Sequence, residues 1–263
     1  MKELLFPVLL VSGIGLILGV ILAVVSSIMY VPKNEKIEKL EKVLPGANCG
    51  ACGYSGCSGY AQALFDGKAK SNLCAVGGEK TAKAISEILG TNAGVTKKKV
   101  AIVKCQGDVC NTQKCMDYDG IQTCAAVAKL CGNNGKCSYS CIGLGDCMKV
   151  CPFGAINICG GVAVIDEEKC KACGKCIATC PKNIIKFRFV NSQKAMVCCS
   201  NKDSGADTRK ACISGCLGCM RCVKECEQGA IKVENNLAVI DAKKCIGCGK
   251  CAKVCKPGAI VMR

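Results

Sequence analysis

No charged residue occurs from Leu4 to Tyr30, a run that reads LLFPVLLVSGIGLILGVILAVVSSIMY. Wound as a helix, it is apolar all round and long enough to cross a bilayer. A secretory signal peptide has a shorter apolar region and a small-residue cleavage site, so the pattern predicts a retained anchor. Lys33, Lys36, Lys39 and Lys42 follow the run, against Lys2 before it. The positive-inside rule then puts the rest of the chain in the cytoplasm. Gly15 and Gly19 have the spacing that lets a second helix approach closely, although glycine is common in membrane helices in any case.

Beyond this run the hydrophobic period changes. Ile37, Leu40 and Leu44 fall at helical spacing within residues 33–44, and Pro45-Gly46 ends that pattern. Residues 58–68 predict a helix with Tyr60, Leu64 and Phe65 as its apolar face. Residues 79–99 predict a further helix that runs into a Lys97-Lys98-Lys99 linker. Short apolar stretches predict strands at Val100–Cys105, 162–165, Ala195–Cys199 and 237–240. The first and third of these strands look alike and each end in cysteine; if they pair with one another, those ends converge.

Cysteine punctuates these elements. Cys170, Cys173, Cys176 and Cys180, followed by Pro181, form C-x2-C-x2-C-x3-C-P. Bacterial ferredoxins use this spacing: three thiolates in one loop hold one [4Fe–4S] cluster, and the fourth reaches a second. Zinc sites favour two separated C-x2-C pairs, and disulfide frameworks belong to small secreted domains. The region Cys147–Ile185 recurs at Cys222–Ile260, each shared cysteine displaced by 75 positions. The repeat predicts two modules of two clusters each. In the second, Cys216, Cys219, Cys222 and Cys255 form one ligand set, and Cys226, Cys245, Cys248 and Cys251 the other. In the first, Cys151, Cys170, Cys173 and Cys176 form one set. The other has Cys141, Cys147 and Cys180, but Leu144 stands in register with Cys219. Cys137 is assigned as its fourth ligand, although Cys137 is also in register with Cys212.

An earlier group, Cys49, Cys52, Cys57 and Cys74, reads C-x2-C-x4-C-x16-C and predicts a one-cluster domain, with a zinc knuckle as the competing reading. At least five clusters follow. A sixth is expected from Cys105, Cys110 and Cys124 with Cys199 or Cys212 as the fourth ligand, set against the plainer reading of buried free thiols. Cys115, Cys131, Cys159 and Cys198 are expected to be structural. Glu227 and Lys256 stand where the ferredoxin pattern has proline, and their charges are expected to lower and raise the nearby potentials respectively.

Composition sharpens this picture. Cysteine accounts for 29 of the 263 residues and histidine for none, which excludes Rieske centres, C-x-x-C-H haem and histidine bases. The formal charge of +16 overstates the basicity. Six oxidised clusters, each about −2 with its thiolates, would leave about +4. The lysine excess suits an acidic partner, and without a basic helix or RNA-binding motif it does not point to nucleic acid.

The motifs CGACGYSGC at 49–57, GLGDCMKVCPFGAI at 143–156 and GCLGCMRC at 215–222, behind an apolar anchor, resemble those of the Rnf complex B subunit in its long, multi-cluster form. The resemblance covers the whole chain. It implies an iron–sulfur subunit of a membrane-bound ferredoxin:NAD+ oxidoreductase that pumps Na+ or H+. Such a subunit takes electrons from soluble reduced ferredoxin and passes them to the other subunits of the complex. The chain has no flavin or nicotinamide fingerprint of its own, in keeping with an NAD site elsewhere. A polyferredoxin subunit of another anaerobic membrane enzyme, a hydrogenase or a formate-oxidising complex, is the alternative.

The expected architecture is α+β. A transmembrane helix (1–31) precedes a one-cluster domain (32–90) and a Cys-rich connecting segment (91–136). Two ferredoxin-like modules (137–190 and 212–263) follow, separated by a Cys-containing insert (191–211). The expected location is the cytoplasmic membrane, single-pass, with the cysteine-rich domains on the cytoplasmic side.

Overall fold

The computed structural model describes residues 2–28, 34–92, 98–190 and 194–262. Helix α1 (Lys2–Ile28) is 27 residues long. Its side chains are described for Leu10 and residues 12–26, and these are exposed on every face. Among the described residues no helix is long and apolar enough to cross a membrane.

Three helices make the next unit: α2 (Glu35–Val43), α3 (Cys57–Phe65) and α4 (Gly78–Leu89). Asn34 caps α2, its side chain accepting from the Lys36 N–H. The core is Leu40, Leu44, Tyr60, Ala61, Leu64 and Ile85. Phe65, expected on the buried face, is 39% exposed. It follows Leu64 directly, and one helical step turns it about 100° away from the i, i+4 pair Tyr60–Leu64. Helix α4 is shorter than the pattern predicts. Gly90, at φ +66°, ends it, and Lys99 already lies in a strand. Of the expected lysine linker, Lys97 lies outside the described residues.

The remainder is built from two equivalent units. The first contains β1 (Lys99–Val103), α5 (Cys124–Leu130), α6 (Asp146–Lys149), β2 (Ile156–Cys159), β3 (Val162–Ile165), α7 (Lys175–Thr179) and β4 (Ile185–Phe189). The second contains β5 (Ala195–Val197), α8 (Gly205–Ala211), α9 (Arg221–Lys224), β6 (Ile231–Glu234), β7 (Leu237–Ile240), α10 (Lys250–Lys253) and β8 (Ile260–Met262). All four sheets are two-stranded and antiparallel: β1–β4, β2–β3, β5–β8 and β6–β7.

This pairing decides where the two cysteine-ended strands lie. Strands β1 and β5 do not pair with each other. Each instead pairs with the last strand of its own unit, Val103 opposite Ile185 and Val197 opposite Ile260. The connecting segment and the insert therefore contribute the opening strand of each ferredoxin-like unit. Burial explains the choice. Val100, Ala101 and Ile102 are buried in succession, so both faces of β1 need cover, and Ala195 and Val197 bury one face of β5. Pairing with β4 or β8 brings them onto the unit's own core, where β1 also lies against β3 and β5 against β7.

The two cores share five equivalent positions, cysteine among them. Ile156, Ala163, Cys147, Cys176 and Ile185 pack in one, and Ile231, Ala238, Cys222, Cys251 and Ile260 in the other. Gly143 and Gly218 hold the first cysteine loop of each unit against its β-hairpin. Both have positive φ, and an added Cβ would lie 2.4 Å from the Gly161 carbonyl oxygen or 2.7 Å from that of Asn236. Ile185, 1% exposed, is a direct test of this core. Ile185→Ala should cost about 2–5 kcal/mol and accelerate denaturant-induced bleaching of the holoprotein's visible absorbance. Ile121→Ala, at a site 73% exposed, should leave both unchanged.

Candidate metal centres

In the first unit of helices, the sulfurs of Cys57, Cys49 and Cys52 surround that of Cys74. Burial raises the Cys74 thiol, the Gly77 N–H bonded to its sulfur lowers it, and the neighbouring sulfurs raise it further. Tyr60 positions this cysteine. Its hydroxyl donates to the Lys70 carbonyl at 2.6 Å and accepts from the Leu73 N–H at 3.3 Å, fixing the approach to Cys74. Burial pushes the Tyr60 hydroxyl up to about 12, so it stays a donor at neutral pH.

Cys151, Cys170, Cys173 and Cys176 line one small cavity with Ala155, Ile156 and Ile165. The Ala101 N–H of β1 donates to the Cys170 sulfur at 3.4 Å. Burial raises the Cys176 thiol to about 11, and Cys173, Cys170 and Cys151 add to it. Burial also raises Cys173, where Cys49 of the first group is among the neighbouring sulfurs.

A third cavity is lined by Cys124, Cys141, Cys147 and Cys180, beside Ile142 and Ile185. The Cys147 thiol is pushed up to about 11, first by burial and then by Cys124 and Cys180. Here the geometry departs from expectation, because Cys124 takes the place assigned to Cys137. Thr123 caps α5 by accepting from the Ala126 N–H, and the Asp146 carboxylate accepts from the Ala125 N–H at 3.1 Å. Asp146 opens α6, so this bond seats the first turn of α5 beside Cys147. Leu144, which replaces a cysteine in the repeat, packs onto the cluster of Cys124, Val127 and Ile142. Cys124, at the start of α5, thus stands beside the three other cysteines of this cavity, where the second unit has Cys219 from its loop.

The second unit repeats the arrangement without that substitution. Burial raises Cys222 to about 11, with Cys216, Cys255 and Cys219 as the neighbouring sulfurs. The Ala238 N–H donates to the Cys216 sulfur at 3.5 Å. Cys226, Cys245, Cys248 and Cys251 line one cavity with Ala230, Ile231 and Glu227. Glu227 forms an ion pair with Lys250, which lowers its carboxyl and raises the lysine. Its charge is thus partnered rather than free to act alone on the nearby sulfurs. Lys256 is exposed.

Cys137 lies instead with Cys105, Cys199 and Cys212. Cys105 and Cys212 are each pushed up to about 11 by burial. Cys110, expected in this set, is exposed and joins none of the groups, and Cys115, Cys131 and Cys159 are likewise exposed. Cys198 is buried, and its N–H is taken by the Ala259 carbonyl.

Among the described residues no three cysteine or acidic side chains are close enough to hold a single metal ion. A tetrahedral zinc site with Zn–S of about 2.3 Å would draw its sulfurs to about 3.8 Å apart. A cube of four irons and four sulfides stands between its thiolates and holds them further apart. The donor sets fit such a cube: four thiols each, apolar walls, and backbone N–H groups donating to sulfur.

Four family descriptions match the chain: a putative Fe-S cluster at residues 44–76, a 4Fe-4S binding domain at 130–155, an LdpA Fe-S cluster-binding domain at 144–190 and a 4Fe-4S dicluster domain at 215–259. A Methanosarcina acetivorans protein, named as the B subunit of an ion-translocating oxidoreductase complex, is 38% identical over 89% of this chain and 88% of its own. A Clostridium ljungdahlii protein, named as the B subunit of a proton-translocating ferredoxin:NAD(+) oxidoreductase complex, is 40% identical over 92% and 85%. The chain belongs to the family of Rnf complex B subunits. A third relative, from Acetobacterium woodii and named for Na(+) translocation, is 39% identical over 93% of this chain and 73% of its own. As a member of the Rnf family the chain carries several 4Fe-4S domains and has an electron-transfer role.

The third cavity gives a test. Cys124→Ala in the anaerobically purified chain should lower the iron content by about four atoms, whereas Cys110→Ala should leave it unchanged.

Proposed function

We propose that this chain receives electrons from soluble reduced ferredoxin and relays them to the membrane subunits of an ion-pumping ferredoxin:NAD+ oxidoreductase. The observation that carries this reading is the succession of four-thiol groups along the chain. The sets are Cys49, Cys52, Cys57 and Cys74; Cys151, Cys170, Cys173 and Cys176; Cys124, Cys141, Cys147 and Cys180; Cys216, Cys219, Cys222 and Cys255; and Cys226, Cys245, Cys248 and Cys251. Each holds a [4Fe–4S] cluster, which supplies reversible one-electron transfer when bound. The residues around them bind and insulate. Burial excludes water, and N–H groups such as those of Ala101, Gly77 and Ala238 stabilise charge on the sulfurs.

Ferredoxin docks at the last set. Cys248 is exposed there, and Lys243, Lys244, Lys253 and Lys256 are exposed around it. A basic rim steers an acidic partner and raises its on-rate. Lys243→Glu with Lys244→Glu should slow reduction by ferredoxin about tenfold at low ionic strength and leave reduction by dithionite unchanged. A ferredoxin rate indifferent to both substitution and salt would refute this docking face.

Helix α1 anchors the chain in the cytoplasmic membrane as a single span. The uncharged run from Leu4 to Tyr30 supports this, and so do Leu16, Leu22 and the other apolar side chains of α1 that stand exposed on every face. The lysines after Tyr30 favour a cytoplasmic location for the cysteine-rich units. Deleting residues 1–31 should move the chain from the membrane fraction to the soluble fraction with its iron content intact. Recovery of the truncated chain in alkali-washed membranes would refute the span.

A further inference from the structure

The family descriptions that match this chain cover neither Cys105 nor Cys199 nor Cys212. These three and Cys137 meet where the two ferredoxin-like units join. We propose that Cys105, Cys137, Cys199 and Cys212 hold a sixth [4Fe–4S] cluster, shared between the two units in a pseudo-two-fold arrangement. The proposal rests on the reading that the other five sets hold clusters.

Symmetry is the main argument. Cys105 follows β1 and Cys199 follows β5, and these two strands occupy equivalent places in their units. Cys137 and Cys212 are related by the same 75-residue displacement as the other repeated cysteines. Each unit thus contributes one cysteine from the end of its opening strand and one from just before its first ligand loop. The hydrogen bonds repeat as well. The Cys105 sulfur accepts from the N–H two residues on, Gly107, at 3.3 Å, and from the Cys141 N–H at 3.4 Å. The Cys199 sulfur accepts from the N–H two residues on, Asn201, at 3.5 Å, and from the Cys216 N–H. Cys141 and Cys216 are themselves equivalent. Free thiols filling a core would have no reason to share two donors each in matching positions.

The join is fastened around these sulfurs. Ser200, next to Cys199, donates its hydroxyl proton to the carbonyl of Lys104, next to Cys105, at 2.9 Å. Thr112 donates to the Ala211 carbonyl at 2.7 Å and forms a β-bridge with Cys212. Buried Asn201 donates its side-chain amide to the Cys137 sulfur at 3.4 Å while its backbone N–H faces Cys199. One asparagine thus addresses a sulfur from each unit. Gly107 lies beside a sulfur from each unit: a Cβ there would stand 3.5 Å from the Cys105 sulfur and 3.8 Å from that of Cys212.

Placement gives the site its role. Cys141 belongs to the neighbouring set of the first unit and Cys216 to that of the second. A cluster here sits one hydrogen bond from a ligand residue on either side and makes the series continuous from one unit to the other.

The test counts iron and acid-labile sulfide in the full-length chain purified without air, with native mass spectrometry as a second count. The expected wild-type value is about 24 irons, four for each of six clusters. Cys137→Ala and Cys212→Ala should each lower it to about 20 and keep the electron paramagnetic resonance signals of the remaining clusters. If the variants fail to fold, a wild-type count of about 24 supports the site by itself. A wild-type count of about 20, with both variants unchanged, overturns the sixth cluster and leaves the other five standing. About 20 irons plus one zinc overturns it too. A chain without iron overturns the proposed function and this site together.

Discussion

Four sulfurs from separate stretches of chain must meet, and nearly every local feature of this protein serves that meeting. In the two ferredoxin-like units the helices that follow the ligand loops are four or five residues long, and the strands three to five. Elements so short bury little apolar surface and are marginal without support. Cysteine itself fills the cores, with Cys147 and Cys176 among the buried residues of one unit and Cys222 and Cys251 of the other. In such a chain the metal centres and the hydrophobic core are one object. Folding and cluster binding are therefore coupled more tightly than in a protein whose core stands alone.

That coupling explains how the two units diverged without losing their plan. The second unit takes Cys219 from its loop. The first has Leu144 there, and a bare substitution would leave a cube with three ligands. In the first unit α5 brings Cys124 to that place. Thr123 caps it, Asp146 holds its first turn by the Ala125 N–H, and Leu144 becomes part of the contact that seats it. The residue that removed a ligand thus helps to position its substitute.

The sequence made much of this legible, and for physical reasons. A ligand loop is local: its spacing follows from the size of the cube, so Cys170, Cys173 and Cys176 declare themselves. The 75-residue displacement then extended the assignment to the second unit. Partnership between distant segments left no such mark. Cys124 and Cys137 exchanged places because sequence distance favoured Cys137, four residues from Cys141, while the capping bond from Asp146 decided the matter in space. The strands β1 and β5 look alike because they are equivalent, and likeness alone does not say whether they pair. Equivalent elements of a repeat more often occupy matching places in separate units, as these do opposite β4 and β8.

The register contained one more clue. Cys137 matches Cys212 as surely as Cys141 matches Cys216, so assigning Cys137 to the set of Cys141 broke the symmetry at one position. Keeping the symmetry forces Cys137 and Cys212 into like environments. The structure does so at the join between units, where each also finds the cysteine that ends its own opening strand. Repetition within a chain thus constrains more than the fold of each copy. Where two copies face one another, their equivalent residues meet, and a site that neither copy could complete alone becomes available to both.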